Sequence, residues 1–484
     1  MAEKKSNGFR TFLLILTTII LTGLFGFAAY LILVPESSLF GLRYLSNSQI
    51  HVIDKFEQDK LVKFADFGKI IVNVEGGKGH THVQINHDNP NGIVNSQIRL
   101  LEDTKGFTRV ESASDDYSIS VQRSGAVLTI NITEPEYNFL QLVNNTVLQL
   151  NVYDHDSISG ANIEIRTGSG NVTLGGKSTS TGVALKTDTG RIDVKTTSGS
   201  VLLTENLEVT VGATIVSESG AINIQGAVDD HLGDSNKDNN RIIPTMNLES
   251  KTGKIQVADI NSDVNIKSFN SNITFGSVVG NVDVDMESGI LNFKNISGNL
   301  ISENHLLYTT VNAEKVFGDI TLVNDDGNFS VNIQEAQGDV AIRSGSKTIK
   351  LGLVYGNCTV ETINGAIDVT KHTNNANDLV LKSTGGAVYL SSAKIENGTK
   401  TIKGAKLLGD NQITTSSGGI TLKFSSEASF QLKAQSEKGK VFRDWAVTDQ
   451  NQNPVDSAVG STENSGNLVA LKTINGYVHI ERVA

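Results

Sequence analysis

The sequence predicts an all-β protein, a single-chain β-solenoid (β-helix-like) of ~18–20-residue coils preceded by one transmembrane helix. Three observations lead to this prediction. Apolar and polar residues alternate over most of the chain, a small residue recurs after polar corners at regular intervals, and one long uncharged apolar run stands near the N-terminus.

The uncharged run extends from Phe12 to Val34. At 1.5 Å per residue, a helix of this length crosses a hydrocarbon core about 30 Å thick. Three basic residues precede the run: Lys4, Lys5 and Arg10. The positive-inside rule therefore predicts a single-pass protein of the cell membrane, with residues 1–11 as a cytoplasmic tail and the C-terminal domain outside the cytoplasm.

A cleaved signal peptide is the alternative interpretation of the same run. Gly26-Phe27-Ala28 offers a small-x-small cleavage site after a shorter apolar core. The apolar residues 30–34 continue past this site, which is typical of an anchor. Both interpretations stay open, and the anchor is favoured.

The repeat is clearest in the spacing of one small residue per coil. Successive positions are 18, 18, 20, 20 and 18 residues apart: Ser262, Gly280, Gly298, Gly318, Gly338 and Gly356. Strands of 4–5 residues cannot bury their own apolar face, so the coils are expected to stack into a continuous core.

Glycine also follows the polar corner inside most coils, where it would supply backbone angles that other residues resist. Positive φ is expected at Gly289 and Gly365 in particular. The predicted structural corner glycines are Gly170, Gly190, Gly199, Gly220, Gly253, Gly289, Gly327, Gly365, Gly386, Gly419 and Gly476.

The domain organisation follows from where this pattern is regular. Beyond the anchor at 12–34, residues 35–48 are predicted as a juxtamembrane segment and residues 49–484 as the extracytoplasmic solenoid domain. Within it, residues 49–160 are less regular, residues 160–422 form regular coils, and residues 423–484 form a C-terminal cap.

Composition excludes several classes of protein. The chain contains 46 Gly and only 5 Pro, which indicates turns between ordered strands rather than a disordered linker. Beyond the apolar run, 38 basic residues face 51 acidic ones, so the remainder carries about −13 formal charges. This sign argues against nucleic acid as a partner. With Cys358 as the only cysteine, neither an intrachain disulfide nor a thiolate zinc site can form.

Three segments resemble a known family: Leu148-x-Leu-x-Val152, Ile163-x-Ile-x-Thr-Gly-Ser-Gly170 and Leu471-Lys-Thr-Ile-Asn-Gly-Tyr-Val-His-Ile480. The pattern is similar to the bacterial putative-adhesin domain family, which consists of β-solenoid surface proteins of unknown function. The resemblance covers roughly Ser48 to Val483. It implies a solenoid at the cell surface and, through the family label only, adhesion.

One loop offers candidate metal ligands. Oxygen side chains stand at alternate positions, which suits calcium: Asp234, Asn236 and Asp238. The loop lacks the Gly and Glu that complete an EF-hand, so a solvated loop without metal is the prediction, and no cofactor is expected.

Catalysis is not expected. Acids on strands take the outward phase of the alternation: Asp193, Asp283, Asp285 and Asp368. The chain contains neither a Gly-x-Ser-x-Gly elbow nor a His-Glu-x-x-His motif. The chain is therefore interpreted as a non-enzyme.

The leading hypothesis is an adhesin-like binding or structural protein that meets a cell-surface polymer or an envelope protein. The alternative is a cell-envelope stress sensor or regulator. It would have to act through a partner protein, because about ten residues before the apolar run are too few for an output domain of its own. A polysaccharide-active β-helix enzyme is the third possibility.

Overall fold

The structure is a computed structural model, and it describes residues 6–33, 42–45, 48–56, 67–76, 81–86, 96–103, 106–109, 118–134, 145–151, 161–175, 187–204, 207–225, 245–303, 305–373, 377–443, 455–459 and 467–483. One helix and 37 strands lie in these residues. The prediction of an all-β protein is confirmed.

The chain divides into two compact units. Unit 1 contains Met1–Ile158 and Glu164–Leu174, and unit 2 contains Ser159–Ile163 and Gly175–Ala484. Strand β10 (Ala161–Thr167) contributes residues to both.

Helix α1 (Ser6–Leu33) contains residues 12–33 of the apolar run. Large side chains between Phe12 and Phe25 are exposed. Among the described residues, no helix combines the length and the hydropathy that crossing a membrane requires.

Unit 1 combines parallel and antiparallel strands. Its strands are β1 (Leu42–Leu45), β2 (Ser48–Phe56), β3 (Lys69–Gly76), β4 (His82–Asn86), β5 (Ser96–Asp103), β6 (Gly106–Arg109), β7 (Ser118–Ser124), β8 (Val127–Glu134), β9 (Asn145–Asn151) and β11 (Val172–Leu174). β3 pairs with β8 and β4 with β9 in parallel, whereas β7 and β8 form an antiparallel hairpin. Strand β1 begins inside the segment predicted as juxtamembrane.

The alternating pattern of unit 1 buries one face of each strand. Ile70 and Val72 on β3, and Ile130 and Ile132 on β8, are fully buried. Glu134 is also buried, and its carboxylate accepts hydrogen bonds from the backbone N–H and the hydroxyl of Thr81, at 2.5 and 2.6 Å. These two bonds offset part of the cost of removing a carboxylate from water.

Unit 2 consists mainly of parallel coils. Its strands are β12 (Thr187–Thr196), β13 (Val201–Leu203), β14 (Leu207–Ser217), β15 (Ile222–Ile224), β16 (Thr245–Ser250), β17 (Ile255–Val257), β18 (Asp263–Val278), β19 (Val282–Ile296), β20 (Leu300–Glu303), β21 (Leu306–Val316), β22 (Ile320–Val323), β23 (Ser330–Ala336), β24 (Val340–Ser344), β25 (Ile349–Val354), β26 (Cys358–Thr362), β27 (Ile367–His372), β28 (Leu379–Ser383), β29 (Val388–Glu396), β30 (Thr399–Thr401), β31 (Asn411–Thr415), β32 (Ile420–Ser425), β33 (Phe430–Ser436), β34 (Val441–Arg443), β35 (Val455–Val459), β36 (Leu468–Thr473) and β37 (Val478–Val483). Among these described strands, antiparallel pairs occur only at β29–β30 and β33–β35.

Each coil of unit 2 contributes one strand segment to each of two parallel ladders. The first ladder contains β24, β26 and β28, and the second contains β25, β27 and β29. The longer strands β18 and β19 turn through a corner, so each serves both ladders. The predicted solenoid coils are therefore present in unit 2.

Inward residues of successive coils stack on one another in register. Ile266 lies beside Val284 in the first ladder, and Phe275 lies beside Phe293 in the second. The two phenyl rings stack with centroids 5.1 Å apart, close to the spacing of neighbouring strands. The core is thus built from like residues one coil apart, as the repeat predicts.

The predicted cap at 423–484 differs from the structure. Strands β36 and β37 form a coil with the same parallel pairing as the earlier ones, and Val469 and Ile480 within it are fully buried. The pattern of this coil belongs to the repeat. Only the antiparallel strand β35, which pairs with β33, departs from it in the described part of this region.

Candidate functional site

Most of the predicted corner glycines share a motif that the structure explains. A Ser or Thr stands three residues before the Gly, except at Gly289 and Gly327, where Met286 and Asn324 take that position. Where Ser or Thr is present, its buried hydroxyl closes the corner by a hydrogen bond. Thr362 donates to the carbonyl of Gly365 at 2.8 Å, and the hydroxyl of Ser383 in the next coil donates to the same carbonyl at 3.2 Å. These buried hydroxyls satisfy the backbone groups that each turn leaves unpaired.

Close packing, rather than a left-handed backbone, is the main reason for glycine at these corners. A Cβ at Gly220, Gly253, Gly365 or Gly386 would lie 2.0 to 2.1 Å from a carbonyl oxygen of the coil below. Gly289 combines both features, with φ of +118° and a Cβ position 2.1 Å from the oxygen of Ser271. Gly365 does not have a positive φ, so that part of the prediction is wrong.

Most of the other predicted corner glycines occupy the same kind of position. A Cβ at Gly170, Gly327 or Gly476 would also meet a backbone carbonyl, at 2.0, 2.4 and 1.9 Å. The carbonyl of Gly199 accepts hydrogen bonds from the hydroxyls of Thr196 and Ser217.

Two predicted corners are misplaced. Gly190 lies inside β12, where the pairing with β14 shifts register, so it marks a β-bulge and not a corner. At the later corner Gly418 takes the corner position, because its carbonyl accepts from the Thr415 hydroxyl and its Cβ would lie 1.9 Å from the oxygen of Gly386. Gly419 instead faces the ring of Tyr477.

Asp and Asn side chains form a second ladder of hydrogen bonds, which reasoning from the sequence missed. Each side-chain oxygen accepts from the backbone N–H of the corresponding residue one coil later, at 2.7 to 3.1 Å. The accepting residues are Asp263, Asn281, Asn299, Asp319, Asp339, Asn357 and Asp378, and the backbone N–H of Asp410 is the last donor. The available signal was that Asp or Asn directly follows the recurring small residue. Several acids of the chain are therefore structural acceptors.

The predicted calcium candidates Asp234, Asn236 and Asp238 lie outside the described residues. Within the described ranges, no three His, Cys, Asp or Glu side chains come together as a metal site.

The strand-borne acids face outward, as the alternation indicates. Val282 and Val284 are fully buried, whereas Asp283 is exposed and Asp285 is half-buried. Asp193 is paired with Arg191 at 3.2 Å. On the outer side of the first ladder, opposite charges stand in neighbouring coils, because Arg343 lies 3.5 Å from Glu361 and Glu361 lies 3.7 Å from Lys382. This part of the surface is mixed in charge, rather than acidic throughout.

A column of uncharged polar residues runs along the outer side of the second ladder. We call it the amide face; in register from coil to coil, it consists of Asn223, Gln256, Thr274, Asn292, Asn312 and Asn332. Apolar neighbours on both sides of each residue point into the core, as Ile273 and Phe275 do beside Thr274. The pleat therefore holds every member of the column outward.

The amide face borders an open groove of about 780 Å³. The small residues Ala258 and Gly276 lie along it and leave it open, while Gln225, Lys294 and Glu314 stand around it. A Cβ at Gly276 would lie 2.2 Å from the carboxylate of Asp259, which accepts a hydrogen bond from the Ser277 N–H at 2.6 Å and would have to move. The groove offers many hydrogen-bonding groups and one charge of each sign.

A cluster of titratable residues lies further along unit 2. Burial opposes ionisation of Glu335, but hydrogen bonds from Lys315 and Gln337 outweigh it and hold the pKa of Glu335 below its ordinary value. The ring of Tyr355 stacks on His372 at 4.2 Å, and burial raises the pKa of Tyr355 and lowers that of His372. Because Glu335 is held as a carboxylate by its partners, the cluster is best explained as a structural network.

Lys371 is a buried lysine next to the β29–β30 hairpin. Its ammonium group donates to the carbonyls of Asn377 and Leu408 and, at 3.0 Å, to the side chain of Asn411. Only 2% of Lys371 is exposed, and this burial lowers its pKa to about 8. Cys358 is also buried, which raises its pKa to about 12.

These two groups predict opposite pH effects on stability. For Lys371, the unfolded chain binds the extra proton between pH 8 and about 10.5, so the free energy of unfolding should rise by up to about 3 kcal/mol across this window. For Cys358, the unfolded chain loses its proton first above about pH 9, so stability should fall there. Urea unfolding of the Cys358→Ala variant should show the rise from pH 8 to 10.5 without the opposing loss. A Lys371→Met variant that keeps the rise would contradict this assignment.

Comparison with known proteins gives one family match. Residues 297–481 match the family model described as Toastrack DUF4097. This match confirms the resemblance to a putative-adhesin domain family of unknown function. No curated protein matches the chain at a significant level.

Solved structures that resemble the chain differ widely from it in sequence. A putative cell adhesion protein from Clostridium sporogenes shares 9% identity, with 90% of this chain and 99% of that chain covered and a TM-score of 0.14. A putative adhesin from Parabacteroides distasonis shares 12% identity over 71% and 96% of the two chains, with a TM-score of 0.20. A putative lipid binding protein from the same organism shares 12% over 72% and 98%, with a TM-score of 0.18. TM-scores this low carry no argument about function.

Proposed function

We propose that the chain is a membrane-anchored, extracytoplasmic binding protein without catalytic activity, and that its amide face binds an uncharged, hydroxyl-rich polymer of the cell surface. The observation that carries the proposal is the column of neutral amide side chains beside an open groove. Amides both donate and accept hydrogen bonds, as the hydroxyl groups of a polysaccharide do.

Several amides of this face remain available to a ligand. Asn312 donates to Asn292 at 2.9 Å, but Asn223 and Gln256 make no side-chain hydrogen bond to another described residue. Neighbouring coils repeat the groups about every 4.8 Å, so a long polymer can make many weak contacts at once. Such binding needs neither a deep pocket nor a catalytic pair.

Charge favours an uncharged polymer. The chain as a whole carries −11 formal charges, which disfavours polyanions, including nucleic acid. In the groove, Lys294 and Glu314 offset one another. A neutral polymer therefore meets donors and acceptors without net repulsion.

Filling the groove tests this proposal. Ala258 is exposed, so Ala258→Trp should fold normally while its indole occupies the groove. We expect the affinity for a soluble neutral β-glucan to fall at least about tenfold, a loss of about 1.4 kcal/mol. Isothermal titration of the full chain in detergent measures this. Thr359→Trp, at an exposed position of the first ladder, is the matched control and should bind as the parent does.

Three outcomes of this experiment would count against the proposal. Equal loss in both variants, or no binding by the parent, would remove the amide face as the binding surface. Release of reducing ends from the glucan that disappears on Asp368→Asn would indicate a polysaccharide-active enzyme instead.

The anchor is the second part of the proposal, and it rests on the uncharged run from Phe12 to Val34 with basic residues before it. Protease added to intact cells should remove the chain beyond about residue 34, as an antibody against a C-terminal tag would show. A protected C-terminus would contradict the topology. A released product that begins near Ala29 would indicate the cleaved signal peptide.

A further inference from the structure

The last coil in the sequence is not the last coil in the stack. In the preceding coils, each strand pairs with the corresponding strand of the next coil along the chain, as β26, β28 and β31 do. At the C-terminal end this order changes. β36 lies between β31 and β33, and β37 lies between β32 and β34.

The coil 411–425 and the next coil along the chain, 430–443, are therefore not neighbours in the stack. A gap of one coil separates them, and residues 467–483 fill this gap. We call this last part the inserted coil. The outer edge of β33 is already paired with the antiparallel strand β35. Its inner edge is thus the one that the inserted coil occupies.

Both sides of the gap are complementary to the inserted coil. On one side Ile420 donates its N–H to Tyr477 and Asn475 donates to Ser416, and on the other Lys438 donates to Ile474, all at 2.8 Å. Val469, Leu471, Val478 and Ile480 are at most 1% exposed. Without the inserted coil, the strand edges on both sides of the gap would lack backbone partners and the apolar residues between them would be uncovered. The gap therefore binds a strand pair with the sequence of the inserted coil.

We propose that the inserted coil is exchanged between copies of this chain, so that residues 467–483 of one copy fill the gap of a second copy. The two copies have the same sequence, so the inserted coil of one copy makes the same contacts in the gap of the other. Exchange therefore loses none of these contacts. Eight residues, 460–467, separate the last residue of β35 from the first of β36, and an extended chain of this length spans up to about 30 Å. The partner is a second copy of this chain, joined by strand exchange rather than by a surface patch.

Mixed chains that each carry one introduced cysteine, in a Cys358→Ala background that removes the native thiol, test the exchange. Thr414 and Lys472 are direct neighbours on β31 and β36, and both are exposed. Neighbouring strands lie within the Cα distance that a disulfide requires. We expect a full-length Thr414→Cys chain, unfolded and refolded together with a Lys472→Cys chain at high concentration and then oxidised, to give a disulfide-linked heterodimer on a non-reducing gel.

The matched control uses the neighbouring coil on the other side. Thr414 is equally paired with Lys382 on β28, which is exposed as well, but no returning coil is inserted there. Thr414→Cys mixed with Lys382→Cys should stay monomeric. Equal cross-linking of the two mixtures, or none in the first, would overturn the proposal.

A single chain carrying both Thr414→Cys and Lys472→Cys completes the experiment. Refolded at low concentration, it should form the intrachain disulfide, because its own coil then fills the gap. Failure to form this bond would show that β36 does not lie beside β31, which would also overturn the proposal.

Discussion

Replacing Val284 with Asp should destabilise the protein severely, by at least about 4 kcal/mol in the free energy of unfolding. Val284 is fully buried in the first ladder, beside Ile266 of the coil before it. A carboxylate there would have no basic partner, and burial would favour its neutral form. The loss should therefore be larger at pH 7 than at pH 4, which urea unfolding at the two values would measure.

The adjacent residue gives the matched control. Asp283 precedes Val284 on the same strand and is exposed. Asp283→Val should change the free energy of unfolding by less than about 0.5 kcal/mol. Similar losses for the two variants would mean that the alternation does not separate an inner from an outer face.

Replacing Gly365 with Ala should cost about 3 kcal/mol or more, and Val should cost more still. A Cβ at Gly365 would lie 2.0 Å from the carbonyl oxygen of Lys347, which belongs to the backbone and cannot rotate away. The same carbon would disturb the carbonyl of Gly365, which accepts from Thr362 and Ser383. The neighbouring coils would have to separate locally, with loss of packing along the stack. The midpoint of thermal unfolding measures the effect.

Gly68→Ala is the control for Gly365→Ala. A Cβ at Gly68 would meet Ala126 at 3.9 Å, an ordinary contact, and its φ lies outside the left-handed region. We expect no loss there beyond a few tenths of a kcal/mol. If Gly365→Ala were equally harmless, the close approach between coils would not explain why glycine stands at the corners.

The amide face was only partly predictable from the sequence. Alternation alone predicts that Asn292 points outward, and the structure agrees. It does not predict that Asn292 lies beside Thr274 and Asn312, because that depends on the register between coils of 18 and 20 residues. The groove was equally hidden, since its shape comes from Ala258 and Gly276 lying next to longer side chains of other coils.

The acidic residues show the same limit. From the sequence, Asp263 and Asp319 are two more outward acids in an acidic chain. In the structure each accepts a backbone N–H from the following coil. The small residue before each of them recurs at the coil period, so the signal was present, but its meaning depends on which backbone group the next coil brings within reach.

The sequence by itself determined the properties that one coil contains: the strand alternation, the Ser/Thr corner, the need for glycine and the all-β class. These are local, because a strand of four residues and its turn already distinguish an inner from an outer face. Only the tertiary structure decided which coil stacks on which. All coils have Val, Ile or Leu at alternate positions, so many pairings between coils would satisfy the local pattern. The order in which the coils stack therefore depends on long-range contacts. For this reason the coil 467–483, although it is the last repeat along the sequence, lies between two earlier coils in the stack.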